Sequence, residues 1–416
     1  MTNNNQHIPS GYKPSPLGII PEDWEVKRLR DACDYVDYRG KSPNKSSDGI
    51  FLVTAKNIRD GYIDYNISKE FIPIDEFDET MRRGKAQIGD VLITTEAPLG
   101  HIAQIDNPNI ALAQRVIKYS GKNGLRNTYL KYYLMSEGFQ TILIANATGS
   151  TALGIKGSRL HQLPIIIPST EEQDRIISSL QLWDTAIAKQ TALIEQLTLR
   201  KRGLMQQLLT GKKRLKGFEG KWTKRTYSSI LKEIKRSLVW DEDELYKLIS
   251  VRRRSEGLFF RESLYGREIA TKNLRPTKAG DFLISKMQIV HGASGLVTED
   301  FDNAKISGSY IALVAKDDNI LDIEYFNLWS QTPRFYHQTF ISSFGVHIEK
   351  MTFDLDTFMS FGMPLPSINE QHAIVSIMES ITKEIEIQKQ KLAAMQEQKR
   401  GLMQMLLTGK KRIKLK

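Results

Sequence analysis

Apolar residues at Ile176, Leu180, Trp183, Ile187, Ile194, Leu197, Leu204 and Leu208 follow one another at alternating steps of four and three, the spacing of one stripe along a helix that packs on another helix. A second stripe runs through Ile374, Met378, Ile381, Ile385, Leu392, Met395, Leu402 and Leu406. Gln190 and Lys201 fill the missing steps of the first stripe, and Gln388 and Lys399 those of the second. Polar residues in a seam weaken it but fix its register. Each stripe follows a proline and a Ser-x-x-Glu sequence, Ser169 to Glu172 and Ser367 to Glu370, which predicts a capping box. Each ends at a glycine, Gly211 or Gly409, followed by Lys-Lys-Arg, suited to a left-handed cap and to the negative end of the helix dipole. The pattern predicts long spacer helices over 169–210 and 367–408, each a rod of about 60 Å at ~1.5 Å per residue. The economical arrangement pairs them antiparallel within the chain; pairing with a partner protein or a second copy is the alternative.

Outside the helices the apolar runs are short and broken by turn residues. Residues 50–55 and 61–64 predict a hairpin, and 91–95 and 110–118 continue a strand pattern. In the second half 245–251, 282–285 and 309–315 do the same. Helical spacing over 127–144 and 323–338 makes each region α+β. The resulting division is a disordered segment at 1–15, a first domain at 16–168, a second domain with its leading linker at 211–366, and a basic tail at 409–416.

The halves are copies. KRGLMQQLLTGKKRLK at 201–216 returns as KRGLMQMLLTGKKRIK at 399–414, and the same offset of 198 aligns Trp24 with Trp222, Pro168 with Pro366 and Glu172-Gln173 with Glu370-Gln371. The Gly-Asp strand at 89–93 matches 280–284 at an offset of 191, so gaps separate the anchors. A period this long exceeds that of solenoids, so each copy is a domain plus a connecting element, with a pseudo-two-fold relation between them. The frame is kept while the interiors have diverged.

Composition narrows the function classes. A net charge of +11 and pI near 9.4 favour a polyanionic partner. The single Cys33 excludes internal disulfides, no apolar run is long enough for a membrane, and the polar amino terminus carries no secretion signal, so a cytoplasmic protein with no membrane partner is expected. Gly40-Lys41-Ser42 resembles the end of a P-loop, but the earlier glycine would fall at Tyr35. Glu25-Val26-Lys27 has nuclease-like spacing, yet Asp23 is too close to be the second ligand, and a surface strand is the simpler reading. The seven histidines show no metal-ligand spacing, so neither catalysis nor a metal is expected of this chain.

The Pro-(x)3-Glu-Gln-(x)2-Ile signature at Pro168, Glu172, Gln173 and Ile176, repeated at Pro366, Glu370, Gln371 and Ile374, carries a resemblance. So do the helix ending in Lys-Arg-Gly-Leu-Met-Gln, the Gly89-Asp90 strand with Pro98-Leu99-Gly100 after it, and the segment from Gly149 to Ile155. Over nearly its whole length the chain resembles the specificity subunits of type I restriction-modification systems, although Gly345-Val346-His347 stands where the first half has the longer 149–154 stretch. The resemblance implies two target-recognition domains, each reading half of a split site in double-stranded DNA, joined by two long antiparallel coiled-coil helices. It implies two modification (methyltransferase) subunits and restriction/translocase subunits as partners. S-adenosylmethionine and ATP with Mg are then expected on those partners, with no cofactor in this chain. A lone recognition module for another class of restriction or modification enzyme, and a coiled-coil scaffold that binds only protein, are the competing readings.

Candidate reading residues are polar or cationic groups in loops and at strand ends, since Arg can clamp guanine and Asn or Gln can pair with adenine. In the first domain these are Lys56, Asn57, Arg59, Thr95, Glu96, Gln114, Arg115, Ser150, Thr151 and Lys156. In the second they are Arg252, Arg253 and Arg254, in the turn aligned with 56–58, and Lys286, Gln288, His291, Ser309, Tyr310 and His347. Some of them are expected to touch only phosphate, which positions without specifying.

Overall fold

The computed structural model describes residues 8–38, 43–149 and 152–413. These divide into two compact units, and the division does not follow chain order: residues 1–191 group with 390–416, and 192–389 form the other unit. Both long helices form, Thr170–Leu209 and Ile368–Leu407. Each unit holds the leading part of one and the trailing part of the other. In the first unit Ile176 and Leu180 share a core with Met403, Leu406 and Leu407, while Lys399 Nζ reaches Asp184 Oδ1 at 2.5 Å, so the helices run antiparallel. Leu208 and Leu209 meet Ile374 and Met378 in the second unit in the same way. Every predicted seam residue is buried or half-buried.

The four polar seam positions have different surroundings. Lys399 sits 5.4 Å over the Tyr132 ring and pairs with Asp184, which also accepts from Tyr132 Oη. Its counterpart Lys201 faces Lys389, and burial together with that like charge pushes its pKa down. Gln190 is buried and Gln388 half-buried.

Within each unit a four-stranded antiparallel sheet lies at the centre. In the first its order is Leu99–Gln104, Val91–Thr95, Val116–Gly121, Cys33–Asp37; in the second it is Ser294–Leu296, Phe282–Ser285, Tyr310–Ala315, Leu231–Ile234. The order is the same in both. Successive side chains of a strand point to opposite faces, and here both faces are covered. Val91 and Ile93 join the core beneath the helices, whereas Leu92 joins a second core against the sheet Ile110–Leu112, Ile50–Val53, Phe71–Ile72. Phe282 and Ile284 part from Leu283 in the same manner. The Gly-Asp pair opening this strand has a structural use. Asp90 is buried and accepts from Lys118 Nζ at 2.6 Å, and Asp281 accepts from both terminal nitrogens of Arg236 at 2.5 and 2.8 Å.

Several expectations need correction. The hairpin is made by Ile58–Arg59 and Tyr62–Ile63, while Ile50–Val53 pairs parallel with Ile110–Leu112. The run 110–118 is two strands in two sheets, because Arg115 at φ +74° turns the chain between them. The helix over 127–144 breaks at Ser136, whose hydroxyl caps Glu137–Ala145; that over 323–338 breaks before Pro333, where Thr332 caps Pro333–Ile341. Of residues 1–15, expected to be disordered, Tyr12–Ser15 forms a strand antiparallel to Gly18–Pro21.

The capping boxes form only by half. Ser169 and Ser367 accept from the amides of Glu172 and Glu370 at 3.3 and 3.4 Å, but the two carboxylates turn elsewhere. Glu172 accepts from Trp24 Nε1 at 2.9 Å and from Arg412 Nε and Nη2 at 3.0 and 2.7 Å. Glu370 accepts from Trp222 Nε1 at 3.1 Å and from Arg214 Nε and Nη2 at 2.6 and 2.7 Å. The adjacent glutamines act alike, Gln173 bonding Pro168 O and the amide of Arg126, Gln371 bonding Pro366 O and the amide of Asp322. The shared signature is therefore a clasp that seizes the arginine after a long helix, and each unit is clasped by the tail of the helix that ends in it. Gly409 at φ +73° closes the second helix, and a Cβ there would meet Pro21 Cδ at 2.3 Å. Tyr12 Oη donates to Gly409 O at 2.9 Å, and Ile413 packs on the first unit's core, so the tail is structural as well as basic.

Candidate nucleic-acid interface

In the first unit three loops meet where strands of the two sheets end. Thr95 N donates to Arg115 O, and Ile155 N to Thr95 O, both at 2.9 Å. A bridge between Glu96 and Gly154 completes the junction. Beside it lies a concavity of about 300 Å³ whose lining includes Lys56, Ala97, Gln114 and Arg115. Five expected residues thus belong to one place: Lys56, Gln114 and Arg115 on the rim, Glu96 paired with Arg115 Nε at 2.5 Å, and Thr95 beneath. Lys156 is exposed, and its carbonyl caps the turn Gly157–Leu160. Arg59 lies on the hairpin that packs against Leu99–Gln104 and does not line the concavity. Ser150 and Thr151 lie outside the described residues, as do Gly40, Lys41 and Ser42.

Two assignments are overturned by burial. Asn57 is 0% exposed; its Oδ1 accepts from Thr54 N and Oγ1 at 2.9 and 2.8 Å, and its Nδ2 donates to the carbonyls of Asp64 and Ile67 at 3.1 and 2.6 Å. It holds the turn that presents Lys56. Asn57→Ala is expected to lower the stability of the first unit by about 2–3 kcal/mol, through backbone groups left buried and unpaired. Denaturant titration checks this, and an unchanged midpoint would refute the structural role. Thr95 is likewise buried, and its peptide groups make the loop junction.

The second unit repeats the junction in the same backbone register. Lys286 N donates to Ser309 O, and Phe353 N to Lys286 O, both at 2.9 Å. Lys286 thus occupies the place of Thr95, Ser309 that of Arg115, and Phe353 that of Ile155. The arginine turn is held against the next loop by Arg254 N to His291 O at 2.7 Å and Ser255 N to Gly292 O at 2.8 Å. Arg254 and Ser255 have φ of +59° and +55°, so the turn is shaped by these tethers against local preference. Arg252, Arg253 and Arg254 are all exposed, with Arg252 5.1 Å from the Phe259 ring centre. Glu349, missed in the sequence, lies 3.6 Å from Arg253 and 3.3 Å from His291 Nε2. Gln288 Oε1 is buried without a hydrogen bond among the described residues, whereas His291 Nε2 faces the Glu349 carboxylate. Ser309 and His347 are exposed. Tyr310 differs from expectation, since its hydroxyl is shared with Ser250 Oγ at 2.7 Å between the two sheets.

Two units with one loop register and different side chains define a duplicated recognition protein. The chain belongs to the type I restriction modification DNA specificity domain family, which matches residues 21–199 and again 221–397. Over 97% of both chains it is 26% identical to the MjaX type I restriction enzyme specificity subunit of Methanocaldococcus jannaschii. Its fold is similar to that of a type I restriction-modification S subunit from M. genitalium, with a TM-score of 0.52 at 14% identity over 92% of this chain and 96% of that one. A chain from work on complex assembly and conformational transition of the type I R-M system gives a TM-score of 0.60 at 17% identity, over 94% and 99%. No helix among the described residues is long and apolar enough to cross a membrane.

Proposed function

We propose that this chain is the sequence-specificity subunit of a type I restriction-modification enzyme and reads a split, asymmetric duplex site, one half with each unit. The observation that carries the reading is the loop junction, made twice with the same backbone hydrogen bonds and with different side chains. A constant scaffold with variable reading groups is what an asymmetric site needs. Methyltransferase subunits, two in number, dock on the chain and transfer the methyl group of S-adenosylmethionine to adenine; restriction/translocase subunits use ATP and Mg. The chain itself contributes specificity and no chemistry, and works in the cytoplasm.

The test is DNA binding by the chain assembled with its methyltransferase subunits, titrated with salt. Each neutralised phosphate contributes about −0.9 to the slope of log K against log salt. Changing Arg252, Arg253 and Arg254 together to Gln is expected to make that slope shallower by about 1–3 and to weaken binding. If the chain were a protein-only scaffold, the variant and the unmodified complex would share one slope and one affinity, and that result would overturn the proposal.

A further inference from the structure

At two of the positions matched between the units, a charged side chain of the first unit is replaced by an uncharged one in the second. Register places Ser309 opposite Arg115, and Met287, next after Lys286, opposite Glu96. We propose that Glu96 and Arg115 read a single G·C base pair in the half-site of the first unit, a deepening that rests on the DNA-reading function proposed above. Arg115 takes guanine O6 and N7, and Glu96 accepts from the cytosine amino group. Met287 and Ser309 leave the second unit without that requirement.

Arg115 is held for such a role at three points. Its carbonyl is fixed by Thr95 N, its φ of +74° places it at the turn between two sheets, and its Nε is taken by Glu96. The carboxylate sits against Nε, and the terminal nitrogens, the fork that suits guanine, have no partner among the described residues. Glu96 is held in turn by its bridge to Gly154. A Cβ at that glycine would come within 3.2 Å of Glu96 Cβ and 3.4 Å of Oε2, so a side chain there would press on Glu96. Both side chains remain about half exposed, at 51% and 44%. A pair so exposed adds little to stability, so fold maintenance does not account for it. Guanine O6 and cytosine N4 lie side by side in the major groove, and an arginine joined to a carboxylate offers a matching donor and acceptor. Lys56 on the same rim supplies positive charge for the flanking backbone.

The experiment selects bound DNA from a randomised duplex pool, using the full chain assembled with its methyltransferase subunits, for the unmodified protein and for Arg115→Lys and Glu96→Gln. The unmodified complex is expected to select a split site with a G·C pair in one half. Arg115→Lys, which keeps the charge and loses the fork, should reduce discrimination at that one pair on the order of 10- to 100-fold and leave every other position as it was. Glu96→Gln should relax the same position by a smaller factor. A positioning residue with only a structural role would weaken the whole half-site evenly. A split site whose profile neither variant changes at a G·C pair overturns this assignment and leaves the proposed function standing. Failure of the unmodified complex to select any split site overturns both.

Discussion

Glu172→Ala is expected to lower the stability of the first unit by about 3 kcal/mol while sparing the second, and Glu370→Ala to do the reverse. Each carboxylate is almost fully buried, at 5% and 1% exposure, and each serves a tryptophan and an arginine at once. Removing one partner of a buried pair costs about 3–5 kcal/mol because a charge is left uncompensated. Arg412 keeps Asp23 as a partner at 2.7 and 2.9 Å, and both Arg412 and Arg214 are partly exposed and return in part to water, which lowers that figure. The buried Trp24 Nε1, left without an acceptor, adds about 1–3 kcal/mol back. For a unit of this size the shift corresponds to roughly 6–12 °C in Tm. Hydrogen exchange resolved by unit is the measurement, since the long helices are shared. Equal loss of protection in both units would show that the clasps are not local.

Exchange of residues 30–160 for those of a relative with another specificity is expected to replace one half of the recognised site and leave the other half intact. The segment starts after the strand Glu25–Arg28 and ends before its partner Pro164–Ile167, so that pair and the clasp on Glu172 stay in place. The incoming segment has to keep what Arg126 and Tyr132 do, because they bond Asp174 and Asp184 on the first long helix. A wrong base pair costs about 1–3 kcal/mol, so an exchanged half-site of several bases should reject the former DNA by a factor on the order of 10² or more. Sequencing of methylated positions reads the outcome directly. A change in both halves would refute the independence of the two readers.

What could be read from sequence was whatever repeats or has a period. The seam positions follow from one spacing rule, and all of them are buried or half-buried. The Glu-Gln signature was visible as a repeat, but its use was not, because Trp24 and Arg412 lie far from Glu172 in sequence and a local cap explained the same residues. The reading surface was legible only in part. Arg115 and Glu96 were selected as polar loop residues, yet their pairing depends on a junction between strands of different sheets. Asn57 was misread because an asparagine that satisfies a buried turn has the same letter as one that faces solvent. Glu349 follows Ile348 in a short turn without periodicity, and nothing around it marks a carboxylate beside Arg253.

The clasp on Glu172 also sets an order of events during synthesis. Domains commonly fold as they leave the ribosome, amino-terminal first. Here Leu402, Met403, Leu406, Leu407, Arg412 and Ile413 complete the core and clasp of the unit that contains residues 1–191, so that unit stays unfinished until residues 402–413 have been made. The unit formed by 192–389 has all its parts earlier and closes first. A chain ending before residue 402 would carry a finished second reader and an unsealed first one, a product that proteolysis can distinguish from a chain that runs past residue 413.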